Sequence, residues 1–194
     1  MIHTATKIKP HPNMEDSLLA QHARTSAEAF AALYQRHVTR VYRYHMAHVG
    51  NVHDAEDLTS QTFMAALEGI KSYRGAGPFA AWLMGIASRK RALFFRGRRP
   101  EVPLDEALQV RAGSGSVEQV AERRLSVETI VHSLRLLSPD RADALVLFYF
   151  SGLSIAEAAQ TLGKSEASLK MLVSRGLQDL RERTTLRVEM QNES

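Results

Sequence analysis

Between Arg98 and Gln119 the chain reads RRPEVPLDEALQVRAGSGSVEQ, with two prolines and a Gly-Ser-Gly-Ser run in one stretch. Proline fixes φ and removes a backbone donor, and Gly-Ser runs behave as flexible coil. No long regular element can cross such a segment, so it reads as an extended linker with at most a short helix. The chain is thereby divided into two small parts, each of which has to bury its own apolar face. The expected boundaries are an N-terminal arm over 1–15, a first domain over 16–99, a linker over 100–119, a second domain over 120–186 and a tail over 187–194.

Helical spacing dominates both parts, and no convincing strand alternation is found. Ser26 can cap a helix with Glu28 in its first turn, and Phe30, Leu33, Tyr34, Val38, Val41 and Tyr42 then recur on one face. Gly50 and Asn51 break it. A second helix opens at Asp54 with Ala55, Leu58, Phe63, Ala66, Leu67 and Ile70 as its apolar set. After the loop KSYRGAGPF, Pro78 suits the first turn of a third helix through Trp82, Leu83, Ile86 and Leu93. Beyond the linker, Val120 to Leu137 reads as a helix. Ser138 and Pro139 start another through ADALVLFYF, where a Ser-Pro start and the Gly152 stop favour a buried helix over a strand. The expected fold is all-α: two small helical domains joined by a flexible linker.

Charge is unevenly placed. Residues 1–99 carry 14 Lys/Arg against 7 Asp/Glu, whereas residues 100–194 carry 11 against 14. The excess peaks in SRKRALFFRGRR, Ser88 to Arg99, with six cations and no acid. Such a patch suits a polyanion, or it is simply a solvated helix end. The chain has no cysteine, which excludes disulfides and thiolate zinc sites and fits a reducing cytoplasm. Its first residues lack a signal-peptide core and no window is apolar enough to span a membrane, so a cytoplasmic protein with no membrane insertion is expected.

Residues 154–183, SIAEAAQTLGKSEASLKMLVSRGLQDLRER, read as two helices meeting at one glycine. A helix-turn-helix needs a small residue where the helices meet, a turn residue tolerant of positive φ, and apolar residues that hold the pair at a steep angle. Ala159 and Gly163 meet the first two needs. Ile155, Ala158, Leu162, Leu169 and Leu172 meet the third. Ser165 can cap the second helix, with Glu166 in its first turn. Its outward positions are then Glu166, Ala167, Lys170, Met171, Ser174 and Arg175. Lys170 can meet a phosphate or a guanine edge, and Arg175 a phosphate. The bland alternative is an αα-hairpin inside a bundle.

LSPDRADALVLFYFSGLSIAEAAQTLGKSEASLKMLVSRGLQDLRER resembles the promoter-reading C-terminal domain of bacterial sigma factors. FAALYQRHVTRVYRY, DAEDLTSQTFMAAL and GPFAAWLMGIASRKRALFFRGRR resemble the N-terminal domain of their extracytoplasmic-function group. The resemblance spans residues 26–183. It implies a non-enzymatic specificity subunit that binds core RNA polymerase, directs it to promoters and helps melt the minus-10 region. The resemblance covers neither the middle domain nor the acidic N-terminal extension of housekeeping sigma factors, and neither is expected.

Laid on matching positions, the resemblance assigns the polymerase clamp contact to Asp54, Glu56, Asp57, Leu58 and Gln61. Acids at a helix start offer ion pairs and Leu58 an apolar contact, while Phe63 reads as core. Minus-10 DNA falls to Tyr73, Arg74, Trp82, Arg89, Lys90, Arg91, Arg96, Arg98 and Arg99. There Tyr73 could stack on a flipped base, and Trp82, in an apolar stripe, reads rather as core. Minus-35 DNA falls to Ser165, Glu166, Lys170, Met171, Ser174 and Arg175. The implied partners are core polymerase through its clamp and flap, promoter DNA and an anti-sigma factor, with no cofactor. Ser60-Gln61 departs from the common family residues at the clamp contact, and Ser88-Arg89 and Lys170-Met171-Leu172 depart at the DNA contacts, so no promoter consensus follows.

Two other functions compete. A free-standing helix-turn-helix regulator would explain residues 138–183 but leave the acids and the basic helix idle. A metal-dependent nuclease would rest on His45 and His48, spaced i, i+3, with His53 and Asp54 beyond. Exposed histidines on a polar face are the simpler reading, and no metal site is expected.

Overall fold

The computed structural model describes residues 15–97 and 128–192, with side chains described through Glu182. The arm, the linker and the tail beyond Asn192 lie outside the described residues, as do Arg98 and Arg99. Every regular element described is helical.

The N-terminal domain begins with a helix that the apolar pattern does not reveal. α1, Asp16–His22, is too short to show a period, yet it buries Leu19 and Ala20 completely. α2 spans Ala27–Val49, and Ser26 caps it by accepting the Ala29 N–H at 3.2 Å. Asp16 ties α1 down: its carboxylate takes the Arg36 guanidinium at 2.8 Å and lies 2.7 Å from His37 Nε2. Arg24, just past α1, donates to the carbonyls of Lys71 and Tyr73 at 3.1 and 3.0 Å.

α2 ends at Gly50 in the left-handed region. α3, Val52–Gly69, starts two residues before the expected Asp54, because Asn51 is the cap and its Oδ1 accepts the Asp54 N–H at 3.0 Å. A short 3₁₀ turn, Ile70–Ser72, leads into the loop before α4, Phe79–Gly97. Leu33, Val41, Tyr44, Phe63, Phe79, Leu83 and Met84 make this core. Tyr34, Leu67 and Leu93, expected inside, are 42, 52 and 56% exposed.

In the C-terminal domain, α5 covers 128–135 and α6 Pro139–Leu145. Ser138 stands at the α6 cap position, but its side chain makes no capping bond. α6 widens into a π-helical turn, Val146–Phe150, in which the Ser151 N–H reaches back to the Val146 carbonyl at 2.9 Å. α7, Ile155–Leu162, and α8, Glu166–Asn192, complete the domain. Leu145, Val146, Leu147, Ala158, Leu169 and Val173 fill its core. α8 crosses α6 at Gly176, where an added Cβ would come within 2.9 Å of Leu145 Cδ1. The domains touch: α2 carries the π-helical turn and α4 carries α7.

Candidate nucleic-acid and polymerase interfaces

The glycine between α7 and α8 has the geometry its neighbours require. Ser154 and Glu157 form a reciprocal capping box at the start of α7: Ser154 Oγ accepts the Glu157 N–H at 3.2 Å, and Glu157 Oε2 accepts the Ser154 N–H at 2.8 Å. The Ser-x-x-Glu spacing is the signal that marks such a box. Gly163 sits at φ +63°, ψ 34°. Its N–H meets the Gln160 carbonyl at 3.2 Å, and the Lys164 N–H meets the Ala159 carbonyl at 2.9 Å, which closes the helix end. Ser165 caps α8 by accepting the Ser168 N–H at 3.2 Å.

Ala158, Ala159, Leu169 and Val173 turn inward, and Ile155, Leu162 and Leu172 are half-buried against them. Ser165, Glu166, Ala167, Lys170, Met171, Ser174 and Arg175 are all exposed on the opposite side. The expected outward face is therefore continuous. Its flanks are fixed by ion pairs of Lys164 with Asp140, at 2.9 Å, and of Arg141 with Asp179.

The start of α3 differs from expectation at one residue. Glu56, Asp57 and Gln61 are exposed and Asp54 is half-buried. Leu58 is only 1% exposed, packed with Val49 and Ala55 under Tyr42, Met46 and Phe94. It belongs to the interior and does not offer the apolar contact assigned to it. The apolar side chains that the same helix does expose are Met64 and Leu67, 63 and 52% exposed. Asp57, Gln61, Met64 and Glu68 follow at i, i+4, i+7 and i+11, which makes one stripe of acids around an apolar centre. The sequence signal for Met64 was only its helical phase.

The loop before α4 also differs. Tyr73 is buried, its hydroxyl donates to the Gly77 carbonyl at 2.6 Å, and its ring packs against Phe79 and Trp82 at 5.6 and 5.4 Å. A ring so held is not available to stack on a base. Trp82 is half-buried and packs on the core, as its stripe suggests, but one side borders a cavity of about 420 Å³ with Arg74, Gly77, Arg89 and Gln160. A second recess of about 270 Å³ continues past Trp82 to Arg89, Lys90 and Leu93. Arg74, Arg89 and Arg96 are exposed, and Lys90 is half-buried.

Arg91 leaves this row. It makes a bidentate pair with Asp143 of α6, one arm at 2.9 Å, beside His48 and 5.9 Å from the centre of the Tyr44 ring. It does not line a strand path in this structure.

The histidines are not the exposed polar face expected of them. His45 is fully buried with Nε2 3.0 Å from Thr62 Oγ1, and burial pushes its pKa down to about 3. His48 is buried against Tyr44 and Asp143, and burial lowers its pKa as well. Among the described residues no group of three His, Asp or Glu side chains could hold a metal ion. No described helix is long and apolar enough to cross a membrane.

Of the two helical domains, one carries an exposed helix-turn-helix and the other an acidic helix face beside a basic, aromatic groove. Residues 33–100 match the family Sigma-70 region 2, and residues 128–180 match Sigma-70, region 4. The two matches together span more than half of the chain. The ECF RNA polymerase sigma factor BldN of Streptomyces coelicolor is 36% identical over 157 residues, covering 79% of this chain and 60% of that protein. This chain thus spans about 60% of the length of that relative. Two solved structures share the fold. CnrH in complex with the cytosolic domain of CnrY has a TM-score of 0.67 at 23% identity, covering 88% of this chain and 97% of that one. The sigma factor RpoE in complex with the anti-sigma factor NepR, from Bartonella quintana, has a TM-score of 0.61 at 23% identity, covering 79% and 94%. The chain belongs to the sigma-70 family, as an extracytoplasmic-function sigma factor, and that family is not one of enzymes.

Proposed function

We propose that this chain binds core RNA polymerase, carries it to particular promoters and helps open the minus-10 region. The observation that carries the reading is the continuous exposed face of α8 beyond the Gly163 hinge, on a chain whose other domain presents acids and basic residues on separate surfaces. Exposed Glu56, Asp57, Gln61 and Met64 suit a basic, partly apolar partner such as the polymerase clamp. Arg74, Arg89, Lys90 and Arg96 around Trp82 suit the backbone of an opened strand. On α8, Lys170 and Arg175 suit the upstream duplex, Lys170 at a base edge and Arg175 at phosphate.

Flipping a base out of a duplex costs a few kcal/mol, which a small domain alone cannot easily recover. Held on polymerase, the two domains bind one DNA together, and the second contact becomes effectively intramolecular. An anti-sigma protein is a reasonable further partner, since the related RpoE has been solved with one. A cytoplasmic site of action accompanies this reading. The test is run-off transcription from a genomic fragment library with core polymerase, with and without the chain. Discrete new start sites that need the chain are expected; none would overturn the reading. Tight, specific promoter binding and melting without core would favour a free-standing regulator instead.

A further inference from the structure

We propose that Arg24 is a positioning residue for promoter opening: from the turn after α1 it holds the loop before α4 in the shape that takes an unpaired base. The proposal rests on the function proposed above. Arg24 Nη2 donates to the Lys71 carbonyl at 3.1 Å and to the Tyr73 carbonyl at 3.0 Å, 47 and 49 residues away in the chain. Those carbonyls lie where α3 runs out through its 3₁₀ turn, and the last carbonyls of a helix have no intrahelical donor. A guanidinium placed there satisfies two acceptors at once and suits the negative end of the helix dipole. Arg24 is itself held in place. Asp16 fixes α1 to α2 through Arg36 and His37, and Ala23 is buried. The Thr25 and Ser26 N–H groups close back on the His22 carbonyl at 3.1 and 3.0 Å.

The pinned segment frames the cavity beside Trp82. Ser72 and Arg74, on either side of Tyr73, line it together with Gly77 and Trp82. Tyr73 is the pivot. Arg24 holds its carbonyl, its hydroxyl donates to the Gly77 carbonyl, and its ring rests on Phe79 and Trp82. His37, the partner of Asp16, packs on the same Phe79 with ring centres 5.3 Å apart. Beyond Tyr73 the chain turns outward: Arg74, Gly75 and Ala76 are exposed, and Gly75 sits at φ +72°. The direction in which Arg74 leaves the core is therefore set by how the Tyr73 carbonyl is held. A site that captures a base as it leaves the stack gains from being shaped beforehand, because ordering the loop afterwards would consume binding free energy. Arg24 is not one of the residues that line the cavity, so it acts through the loop and not on the base.

The chain has one tryptophan, so the fluorescence of Trp82 reports on this loop in the free protein. Acrylamide should quench Trp82 more strongly in Arg24→Met than in wild type, while Arg24→Lys, which keeps a charged donor, should stay near wild type. The second measurement is promoter opening by the chain with core polymerase, followed by permanganate on a promoter taken from the run-off library. Single abasic sites are placed in turn along the non-template strand at minus-10. In wild type one position should stand out as slowing opening most. Arg24→Met should slow opening of the intact promoter about tenfold, the weight of one charge-assisted contact. An abasic site at the sensitive position should then cost it little more, because both changes remove the same capture step. Abasic losses elsewhere should match wild type, and Arg24→Lys should recover most of the rate. Wild-type quenching and opening in Arg24→Met would overturn the proposal. So would a loss that adds fully to every abasic site, which is the behaviour of a phosphate contact or a weakened fold. A wild-type chain that opens no promoter with core, yet shows the quenching difference between variants, would defeat the function proposed above and leave the brace standing.

Discussion

Asp16 shows what single residues do here. Its hydrogen bond with His37, then that with Arg36, holds its pKa at about 2 against an ordinary 3.8. The folded pKa is depressed, so the stabilisation is present above the unfolded value and is lost as pH falls from about 4 to about 2. We expect Asp16→Asn to cost about 1 kcal/mol at pH 7, discounted because the pair is partly exposed. The difference from wild type in urea unfolding should shrink toward zero near pH 2. A gap that stays constant with pH would show that the carboxylate charge is not what holds α1. On the DNA side, Lys170→Ala should lose about 1–3 kcal/mol at one promoter position if it reads a base. Arg175→Ala should weaken binding evenly across sequences and flatten the salt dependence. Titrations of one promoter and its point variants, at several salt concentrations, separate the two.

At the scale of elements, the hinge between α7 and α8 depends on backbone freedom at Gly163. A β-branched residue at φ +63° is strained, and Gly163→Val should cost about 1–3 kcal/mol. Calorimetry should show a lower melting temperature for the C-terminal domain; an unchanged melt would mean that the turn relaxes without left-handed geometry. Gly176 serves differently, by close approach, so Gly176→Val should act by prying α8 from Leu145. The exposed stripe of α3 is a matter of phase. Asp57→Lys with Gln61→Lys should abolish promoter-directed transcription and leave the melt unchanged, since both side chains point outward. Leu58→Asp would unfold the domain from within and so reports on packing.

For the whole molecule, charge and reading surface are divided between two domains. The N-terminal part carries the basic excess, and the C-terminal part carries the groove reader on a slightly acidic background. With the charge on one domain and the helix-turn-helix on the other, neither is expected to hold duplex DNA firmly alone. Gel shifts of the full chain should therefore be weak without core polymerase and become strong and specific with it, with permanganate-reactive thymines at minus-10 only in the second case. Equal melting with and without core would contradict this division of labour.

Much of this was legible in local sequence because the forces are local. Ser26 as a cap, Gly163 as a hinge, Ser165 as the start of the reader and the outward phase of Lys170, Met171 and Arg175 all follow from hydrogen bonds and dihedral preferences within a few residues, and helical period did the rest. What only the tertiary structure decided concerns residues whose role depends on partners far away in the chain. α1 is held by Arg36 and His37, not by a pattern of its own. Leu58 and Tyr73 became interior, and Met64 and Leu67 exterior, because a helix's phase says which residues share a face and not which face the neighbours cover. His45 and His48 look on paper like a surface pair, yet they are buried by contacts with Thr62 and Asp143. Arg91 is indistinguishable in sequence from Arg89. Two residues further along a helix is about 200° around it, which turns one guanidinium toward solvent and the other onto a carboxylate 52 residues away.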